Sequence, residues 1–520
     1  MPEQRKFRAI KGTRDILPPD SALWNWFEKT ARGVMESYNF GEIRTPIFED
    51  TELFARSIGA ETDVVNKEMY SFRDFGSTEL EKYYWMLFDV APLDDSGVRQ
   101  NYTERLDEFI SLLETACHDG EIPRSQENAR AINGLRTLCR QARQLKDPLD
   151  REDVTRIAEH ISQIVCGLDL GPSTTLRPEA TASVVRAYIE HGMQMRSGDQ
   201  KLYYIGPMFR RERPQKGRYR QFYQIGAEVL GTSDAPAIDA ELIEMLTVLL
   251  ERCQIEKYTL LINSIGCQNC RPAYVETLRE KLREPEIFSK LGADSRRRVE
   301  TNPLRVMDSK LPEEQAIIEK LPKISEHLCA DCREHYEKLK KELKLREVPF
   351  TESPRLVRGL DYYMRTTFEI TSPILGAQNA LCGGGRYDGL VEMLGGPKGI
   401  KGIGFALGED RFIDAIQEAK KIHATRTVDV FIAWMGEQAY PTAVRLAHVL
   451  RGEKHTVELP PEEMKFRKAL ERADKMGARY VLIIGDDEIA SDMLSIKRLA
   501  DGKQEKISEE ALVDYFRGAR

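Results

Sequence analysis

The stretch KLYYIGPMFRRERPQKGRYRQFYQIGAEVLG, residues 201–231, predicts a β-hairpin whose two strands are joined by a long basic loop. Six basic residues lie between Arg210 and Arg220, although the whole chain has a formal net charge of −7. Alternate side chains of a strand face opposite sides of a sheet. One side of the second strand is apolar. The other side presents, in order, Arg220, Phe222, Gln224, Gly226 and Glu228.

This polar strand face has two interpretations. Alternating polar residues usually form a solvated face. An aromatic side chain such as Phe222, however, is unfavourable on a solvated face. Gly226 is a poor strand former, and glycine in a strand often marks a place where a ligand or another backbone approaches closely. The preceding loop carries Arg210, Arg211, Arg213, Lys216 and Arg218. Such a concentration of cations suits the binding of several phosphates. The hairpin therefore predicts a nucleotide site with a carboxylate, Glu228, at greater depth.

The composition limits the class of protein. The chain has 520 residues, 41% hydrophobic and 31% charged, enough for about three domains. Its apolar runs are too short to span a membrane, and the N-terminus lacks the apolar core of a secretory signal. Nine cysteines, an odd number, favour a reducing cytoplasm over a disulfide framework. The negative net charge argues against a basic surface over the whole protein that would bind nucleic acid.

Patterns along the chain predict its organisation. Residues 76–172 form an inserted block with three helical stripes, centred on Leu106–Leu113, Ile132–Leu145 and Val154–Val165. Residues 266–345 are mostly helical and polar. From residue 427 onward, the strand-like runs VDVFIAW, HTVEL, RYVLIIG and DMLSIKR alternate with helical stretches, which predicts a small α/β domain.

Four further segments carry polar residues that could belong to a site. TTLRPEATAS places Glu179 and Thr181 at the start of a helix, where capping alone would explain them. RGLDYYMRTTFEI contains a second strand with a polar face. CGGGRYDGL lacks the Gly-Lys-Ser/Thr of a phosphate-binding loop and by itself indicates only a turn. GIGFALGEDR is a glycine-bearing strand that leads into a helix carrying Arg411.

Together these segments resemble a known family. GPMFRRERPQKGRYRQF, followed about two hundred residues later by the glycine strand and the arginine-bearing helix, resembles motifs 2 and 3 of class II aminoacyl-tRNA synthetases. KGTRDILPPD, TLRPEATAS, RGLDYYMRTTFE and GGGRYDGL resemble histidyl-tRNA synthetases. The resemblance covers nearly the whole chain outside 76–172. It implies an α+β catalytic domain built on an antiparallel sheet, with a C-terminal α/β domain.

The resemblance also implies a division of the chain. The class II catalytic domain would comprise residues 1–75, 173–265 and 346–420. The block 76–172 would be a helical insertion of undefined role, and 266–345 a helical insertion domain that reaches the tRNA acceptor arm. Residues 427–520 would form the anticodon-binding α/β domain. The segment around Pro46 resembles the dimer-forming motif 1, which implies a homodimer.

The resemblance assigns roles to residues of this chain. Arg210 would contact the α-phosphate of ATP, and Arg358 would stand where other class II enzymes use a metal ion. The remaining ATP-binding residues would be Glu212, Arg218, Phe222 and Arg411. Glu179, Thr181 and Gln224 would hold the ammonium end of histidine. Glu228 and Tyr363 would recognise its imidazole, with Tyr362 lining the pocket.

The implied reaction has two steps. ATP with Mg²⁺ and L-histidine give histidyl-adenylate and pyrophosphate, and histidine then passes to the 3′ end of tRNA(His). Attack of a carboxylate on a phosphate needs alignment and charge neutralisation rather than a covalent enzyme nucleophile. The sequence accordingly supplies no convincing nucleophilic triad.

Two CxxC pairs, CQNC at 267–270 and CADC at 329–332, are separated by 58 residues. Two such pairs form the ligand pattern of a structural zinc site. Cys267, Cys270, Cys329 and Cys332 are therefore candidate zinc ligands. The alternative is four unrelated reduced thiols.

Two other functions make different demands on the sequence. The synthetase-like regulatory subunit of ATP phosphoribosyltransferase shares the implied fold, but it lacks the C-terminal domain and many of the ATP-binding arginines. A nucleic-acid-binding module without catalysis would not need the paired amino-acid pocket residues. Residues 427–520 and the intact arginine set favour the synthetase.

Overall fold

The computed structural model of the chain describes residues 7–59, 62, 64–73, 98–119, 122–144, 160, 164, 173–215, 217–309, 311–420, 422 and 428–518. Two compact units make up the chain. The first comprises Met1–Arg14 and Thr30–Lys421, and the second comprises Asp15–Lys29 and Ile422–Arg520. No helix among the described residues is both long and apolar enough to cross a membrane.

The strands are numbered in chain order. They are β1 Gly41–Glu42, β2 Phe48–Asp50, β3 Tyr70–Arg73, β4 Ser173–Leu176, β5 Gln200–Phe209, β6 Gln221–Gly231, β7 Thr259–Ser264, β8 Thr351–Glu352, β9 Met364–Thr371, β10 Ala380–Arg386, β11 Lys401–Gly408, β12 Val430–Trp434, β13 Val457–Glu458, β14 Tyr480–Ile484, β15 Met493–Arg498 and β16 Gln504–Ser508.

Helices connect and cover these strands. The α-helices of the described residues are Asp20–Ser37, Thr51–Ile58, Val98–Asp119, Gln126–Gln144, Thr181–Glu190, Pro236–Arg252, Arg271–Arg283, Pro285–Phe288, Ala293–Thr301, Pro312–Ile318, Ala330–Leu345, Leu390–Met393, Glu409–Ala419, Ala439–Gly452, Phe466–Lys475, Asp486–Ser491 and Leu512–Gly518.

The first unit is built on an eight-stranded sheet of order β1-β5-β6-β11-β10-β9-β7-β8. Its six inner strands pair antiparallel, as the sequence predicts. The two-residue edge strands β1 and β8 pair in parallel, so the complete sheet is mixed. The predicted hairpin is β5–β6, in register from Gln200 opposite Leu230 to Phe209 opposite Gln221.

The two strands that flank the inserted block, β3 and β4, pair with each other. In a three-stranded sheet of order β2-β4-β3, Arg73 is the register partner of Ser173. Two of the three predicted stripes form the helices Val98–Asp119 and Gln126–Gln144, whose apolar residues pack together. The third stripe, apart from Ile164, lies outside the described residues. The two helices bury a common core of their own.

The segment between the two CxxC pairs is helical, as predicted. Four α-helices lie between Arg271 and Ile318, and Ala330–Leu345 begins directly after Cys329. The apolar side chains of this segment belong to the same buried cluster as Tyr362 and Tyr363. This helical segment therefore shares a core with the residues around the eight-stranded sheet.

The second unit contains a five-stranded sheet of order β13-β12-β14-β15-β16. Strand β12 is parallel to both β13 and β14, and the crossovers contain the helices Ala439–Gly452 and Phe466–Lys475. The predicted βαβ pattern is therefore correct. Strand β16, QEKIS in sequence, was not predicted because four of its five residues are polar or charged and its burial is slight.

Candidate active site

One face of the large sheet carries a cavity of about 240 Å³. It is lined by residues from β6, β9, β10 and β11, from the helix start at Thr181, and from the basic loop. Eleven of the twelve site residues predicted outside the cysteine pairs line this cavity. They are Glu179, Thr181, Arg210, Glu212, Arg218, Phe222, Gln224, Arg358, Tyr362, Tyr363 and Arg411.

Glu228, the twelfth, lies behind the cavity wall and is fully buried. Its two carboxyl oxygens accept hydrogen bonds from Thr181 Oγ1 at 2.8 Å and from the hydroxyl of Tyr387 at 2.5 Å. Gly404 faces it across the sheet, and a side chain there would collide with the carboxyl group. The predicted buried carboxylate is present, but Thr181 stands between it and the open space.

Burial raises the pKa of Glu228 to about 8. The native state therefore holds a proton between roughly pH 4.5 and 8 that the unfolded state releases, so this group's stabilising contribution is lost as the pH rises through that window. We expect the Tm of wild-type protein to fall relative to that of Glu228→Gln between pH 5 and 9. At the limit, the free energy of unfolding of the wild type falls by about 1.4 kcal/mol per pH unit relative to that of the variant. Parallel thermal scans of both proteins measure it, and a constant difference in Tm would contradict the protonated Glu228.

Glu179 caps the helix Thr181–Glu190. Its carboxylate accepts the backbone N–H groups of Thr181 at 2.7 Å and Ala182 at 3.0 Å. Burial raises its pKa, and those hydrogen bonds oppose the rise. Glu179 therefore both caps the helix and lines the cavity.

The amide of Gln224 completes this part of the wall. Among the described residues its buried Oε1 has no hydrogen-bond partner. A buried amide oxygen without a partner costs free energy unless a ligand supplies a donor. The carboxylate of Glu179 and the amide of Gln224 together provide acceptors for an ammonium group.

Four arginines crowd the remaining wall. Arg210 donates Nε to the carbonyl of Pro178 at 2.9 Å, and its guanidinium lies 5.3 Å from the centroid of the Phe222 ring. Arg218 pairs with Glu212 at 3.3 Å. Burial lowers the pKa of Arg411, and the positive charge of Arg218 lowers it further. Such mutually repelling cations are a fitting surface for a polyanion.

Arg358 reaches the cavity from the segment before β9. Its Nη1 lies 2.7 Å from Glu369 Oε2, and its guanidinium carbon lies 6.0 Å from the centre of the Tyr363 ring. Its Nε is buried and has no partner among the described residues. A side chain at Gly383 would collide with this guanidinium. CGGGRYDGL is thus chiefly strand β10, where the glycines make room, and not merely the turn that the motif alone indicated.

The sequence did not identify several residues of the site. Tyr387 bonds to Glu228, as described above. Arg14 pairs with Asp410 at 2.5 Å and donates Nη1 to the Tyr219 hydroxyl at 3.2 Å, and both of those partners line the cavity. The only signal was that Arg14 lies in KGTRD and Tyr387 in RYDGL, two motifs of the resemblance. Lys216, counted in the basic loop, lies outside the described residues.

The four cysteines of the two CxxC pairs meet in the first unit. Their sulfur atoms all lie within 4.8 Å of one another. Three Sγ–Sγ distances are 3.8 Å: Cys267 to Cys270, Cys267 to Cys329, and Cys270 to Cys332. A tetrahedral ion with bonds of about 2.3 Å to sulfur requires an edge of about 3.8 Å. The donor set therefore fits a single zinc ion.

Comparison with known proteins places these features in a family. The histidine–tRNA ligase of Koribacter versatilis is 44% identical over 519 residues, which cover 99% of this chain and 97% of that protein. The ligase of the same name from Solibacter usitatus is 42% identical over 505 residues, 97% of each. The chain belongs to the histidyl-tRNA synthetase family. The predicted resemblance is confirmed.

Domain models and a solved structure of the histidyl-tRNA synthetase family also match this chain. The family model described as histidyl-tRNA synthetase matches residues 169–411, and one described as anticodon binding domain matches 429–518. The crystal structure of apo S. aureus histidyl-tRNA synthetase superposes with a TM-score of 0.67 at 32% identity, covering 98% of this chain and all of that one. The class II synthetase fold predicted from the sequence is therefore confirmed.

Proposed function

We propose that this chain is a histidine–tRNA ligase that activates L-histidine with ATP and transfers it to the 3′ end of tRNA(His). One observation carries the proposal: a single cavity joins four arginines to the carboxylate, amide and phenol groups of an amino-acid pocket. Family membership supplies the reaction. ATP enters with Mg²⁺, L-histidine is the second substrate, and tRNA is the third.

The amino-acid end of the cavity recognises histidine through hydrogen bonds. Glu179, Thr181 and Gln224 hold the ammonium group. Glu228 and Tyr363 recognise the imidazole, with Tyr362 beside them at a ring distance of 4.6 Å from Tyr363. Glu228 does so after Thr181 or the Tyr387 hydroxyl yields one of its oxygens. An apolar amino acid would leave these buried groups unpaired, and sites of this kind reject such analogues by about 10⁴-fold or more.

The arginine end holds ATP. Phe222 stacks on adenine, Glu212, Arg218 and Arg411 contact the nucleotide, and Arg210 binds the α-phosphate. Arg358 lies beside the Tyr363 ring, where the histidine carboxylate meets that phosphate. It therefore neutralises charge that develops as the carboxylate attacks and pyrophosphate leaves. No side chain of the enzyme needs to form a covalent bond.

The parts of the chain divide the remaining work. Residues 1–75, 173–265 and 346–420 form the catalytic domain, and 427–520 read the anticodon. The helical domain 266–345 faces the acceptor arm of the tRNA, while 76–172 takes no part in adenylate formation. Two chains associate through the motif around Pro46 into a homodimer. A cytoplasmic location accords with the nine cysteines of the chain, an odd number.

The decisive experiment is ATP–pyrophosphate exchange with each of the twenty amino acids, followed by aminoacylation of total tRNA. Exchange that depends on histidine alone, with charging of tRNA(His), is the expected result. A regulatory subunit of ATP phosphoribosyltransferase would exchange nothing. A nucleic-acid-binding module would bind tRNA without exchange, so both alternatives are separated from a ligase in one assay.

The cysteine cluster is expected to hold one structural zinc ion. Zinc would tie the loop at Cys267 and Cys270 to the start of the helix Ala330–Leu345. Protein purified without a metal-binding tag should contain about one zinc per chain by mass spectrometry of the metal. Cys332→Ser should lose the zinc and unfold at lower temperature, because structural zinc contributes directly to folding.

Cys117→Ser provides the matched control, because Cys117 lies in the separate helical block and should leave the zinc content unchanged. Absence of metal from wild-type protein, together with rapid alkylation of the half-buried Cys329 in the native state, would contradict the zinc site.

A further inference from the structure

The loop that carries the first cysteine pair is hydrogen-bonded to the segment that carries the pocket tyrosines. Arg271 directly follows Cys270 and begins the helix Arg271–Arg283. Its Nη1 donates a hydrogen bond of 2.8 Å to the main-chain carbonyl of Tyr363. Its own backbone N–H donates to the carbonyl of Cys267 at 2.9 Å. One residue thus connects the cysteine loop with the residue whose ring lines the cavity.

The same loop holds the residue two places after Tyr363. The backbone N–H of Arg365 donates to the carbonyl of Gly266 at 2.8 Å, and its carbonyl accepts the N–H of Ile265, also at 2.8 Å. Arg365 has a φ of +49°, in the left-handed region that side chains disfavour. Such a conformation persists where neighbouring contacts hold it. The loop before Cys267 supplies two of those contacts.

Gly266 fits tightly against the cysteine cluster. Its φ is +70°, and a Cβ atom there would approach Cys270 Sγ to 2.9 Å. The position of that sulfur atom and the path of the backbone that holds Arg365 are therefore linked. A shift of Cys270 would move either Gly266 or Arg271, and both contact the tyrosine segment.

We propose that Arg271 is a positioning residue for Tyr363, and that through it the cysteine cluster sets the affinity for histidine. The inference rests on the proposed function, because it assigns Tyr363 to the amino-acid pocket. The Tyr363 ring lies against Tyr362 and Arg358 in the cavity. No hydrogen bond between Arg271 and a nucleotide-side residue is present among the described residues, so ATP binding should not depend on it.

The test measures the two substrates separately. Arg271→Met removes the hydrogen bond and keeps most of the side-chain volume. We expect its KM for histidine in pyrophosphate exchange to rise about tenfold, as for loss of a hydrogen bond from a charged donor. Its KM for ATP should stay within about twofold, and calorimetric titration of histidine without ATP should show the same weakening. Arg271→Lys, which retains a donor, should recover part of the affinity.

Arg279→Met is the matched control. Arg279 lies on the same helix and donates Nε to the carbonyl of Val299, inside the insertion. The KM of the Arg279→Met variant for histidine should equal that of wild type. Removal of the bound metal from wild-type protein by a chelator should reproduce the Arg271→Met pattern, weaker histidine binding with unchanged ATP binding.

Two results would overturn the inference: an Arg271→Met variant that binds histidine as wild type does, or one that loses both substrates equally. If that variant does not fold, Arg271→Lys and the chelated wild type decide in the same way, by the ratio of the two KM changes. A wild-type protein that neither exchanges pyrophosphate nor binds histidine contradicts the proposed function itself. An active wild type with an unaffected variant contradicts only the role of Arg271.

Discussion

Replacement of Glu228 by alanine is expected to lower kcat/KM for histidine in pyrophosphate exchange by about a thousandfold or more. The substitution removes the acceptor of the Thr181 and Tyr387 hydroxyls, and with it the group proposed to recognise the imidazole. Histidine would then enter a pocket with two unpaired hydroxyls and no carboxyl partner. KM for ATP should change little, because Glu228 does not line the arginine end.

Two comparisons make the Glu228 experiment specific. Glu228→Gln keeps the volume and one acceptor, so it should fold like wild type. Because it lacks the carboxyl group, it should nevertheless discriminate poorly between histidine and other amino acids. Glu352→Ala removes an exposed glutamate of edge strand β8 and should leave both substrates unaffected. Wild-type histidine kinetics in Glu228→Ala would remove this residue from the pocket.

Arg358→Met should lower the rate constant of adenylate formation by about a hundredfold or more, with a small change in KM for histidine. Arg358 provides a half-buried cation beside Tyr363, and methionine could not neutralise charge at the phosphate that is proposed to react there. The measurement is single-turnover formation of adenylate at saturating histidine and ATP, which separates the chemical step from binding.

Arg355→Met is the appropriate control for Arg358→Met. Arg355 lies three residues earlier and pairs with Glu319 and Gln315, away from the cavity lining. It should retain the wild-type rate. If Arg358→Met formed adenylate within a factor of about three of wild type, Arg358 would be a structural partner of Glu369 and not a catalytic residue.

The sequence predicted those features whose pattern is local. Alternation in β6 placed Phe222 and Gln224 on one face, and both line the cavity. The two CxxC pairs predicted a common four-cysteine site, and their sulfur atoms do lie within 4.8 Å of one another, although the pairs come from distant parts of the chain. Edge strand β8 could not be predicted, because two residues are too few to show a period.

Contacts between distant segments were beyond the reach of the sequence. The bond between Tyr387 and Glu228 joins residues 159 positions apart, and the pair between Arg14 and Asp410 joins residues 396 positions apart. Each side chain looks ordinary within its own segment. That Glu228 would lie behind Thr181 instead of in the open cavity also depends on how the helix start packs on β6, a tertiary feature that strand alternation does not encode.

Three glycines of neighbouring strands define the interior by the side chains they lack. A methyl group at Gly226 would collide with the Tyr204 hydroxyl, one at Gly404 with Glu228, and one at Gly383 with Arg358. At these three positions even alanine exceeds the available space, so we expect it to be about as disruptive as a larger residue. Attempts to broaden the range of accepted amino acids are best directed at the tyrosines, because the backbone at these three glycines leaves no room for a side chain.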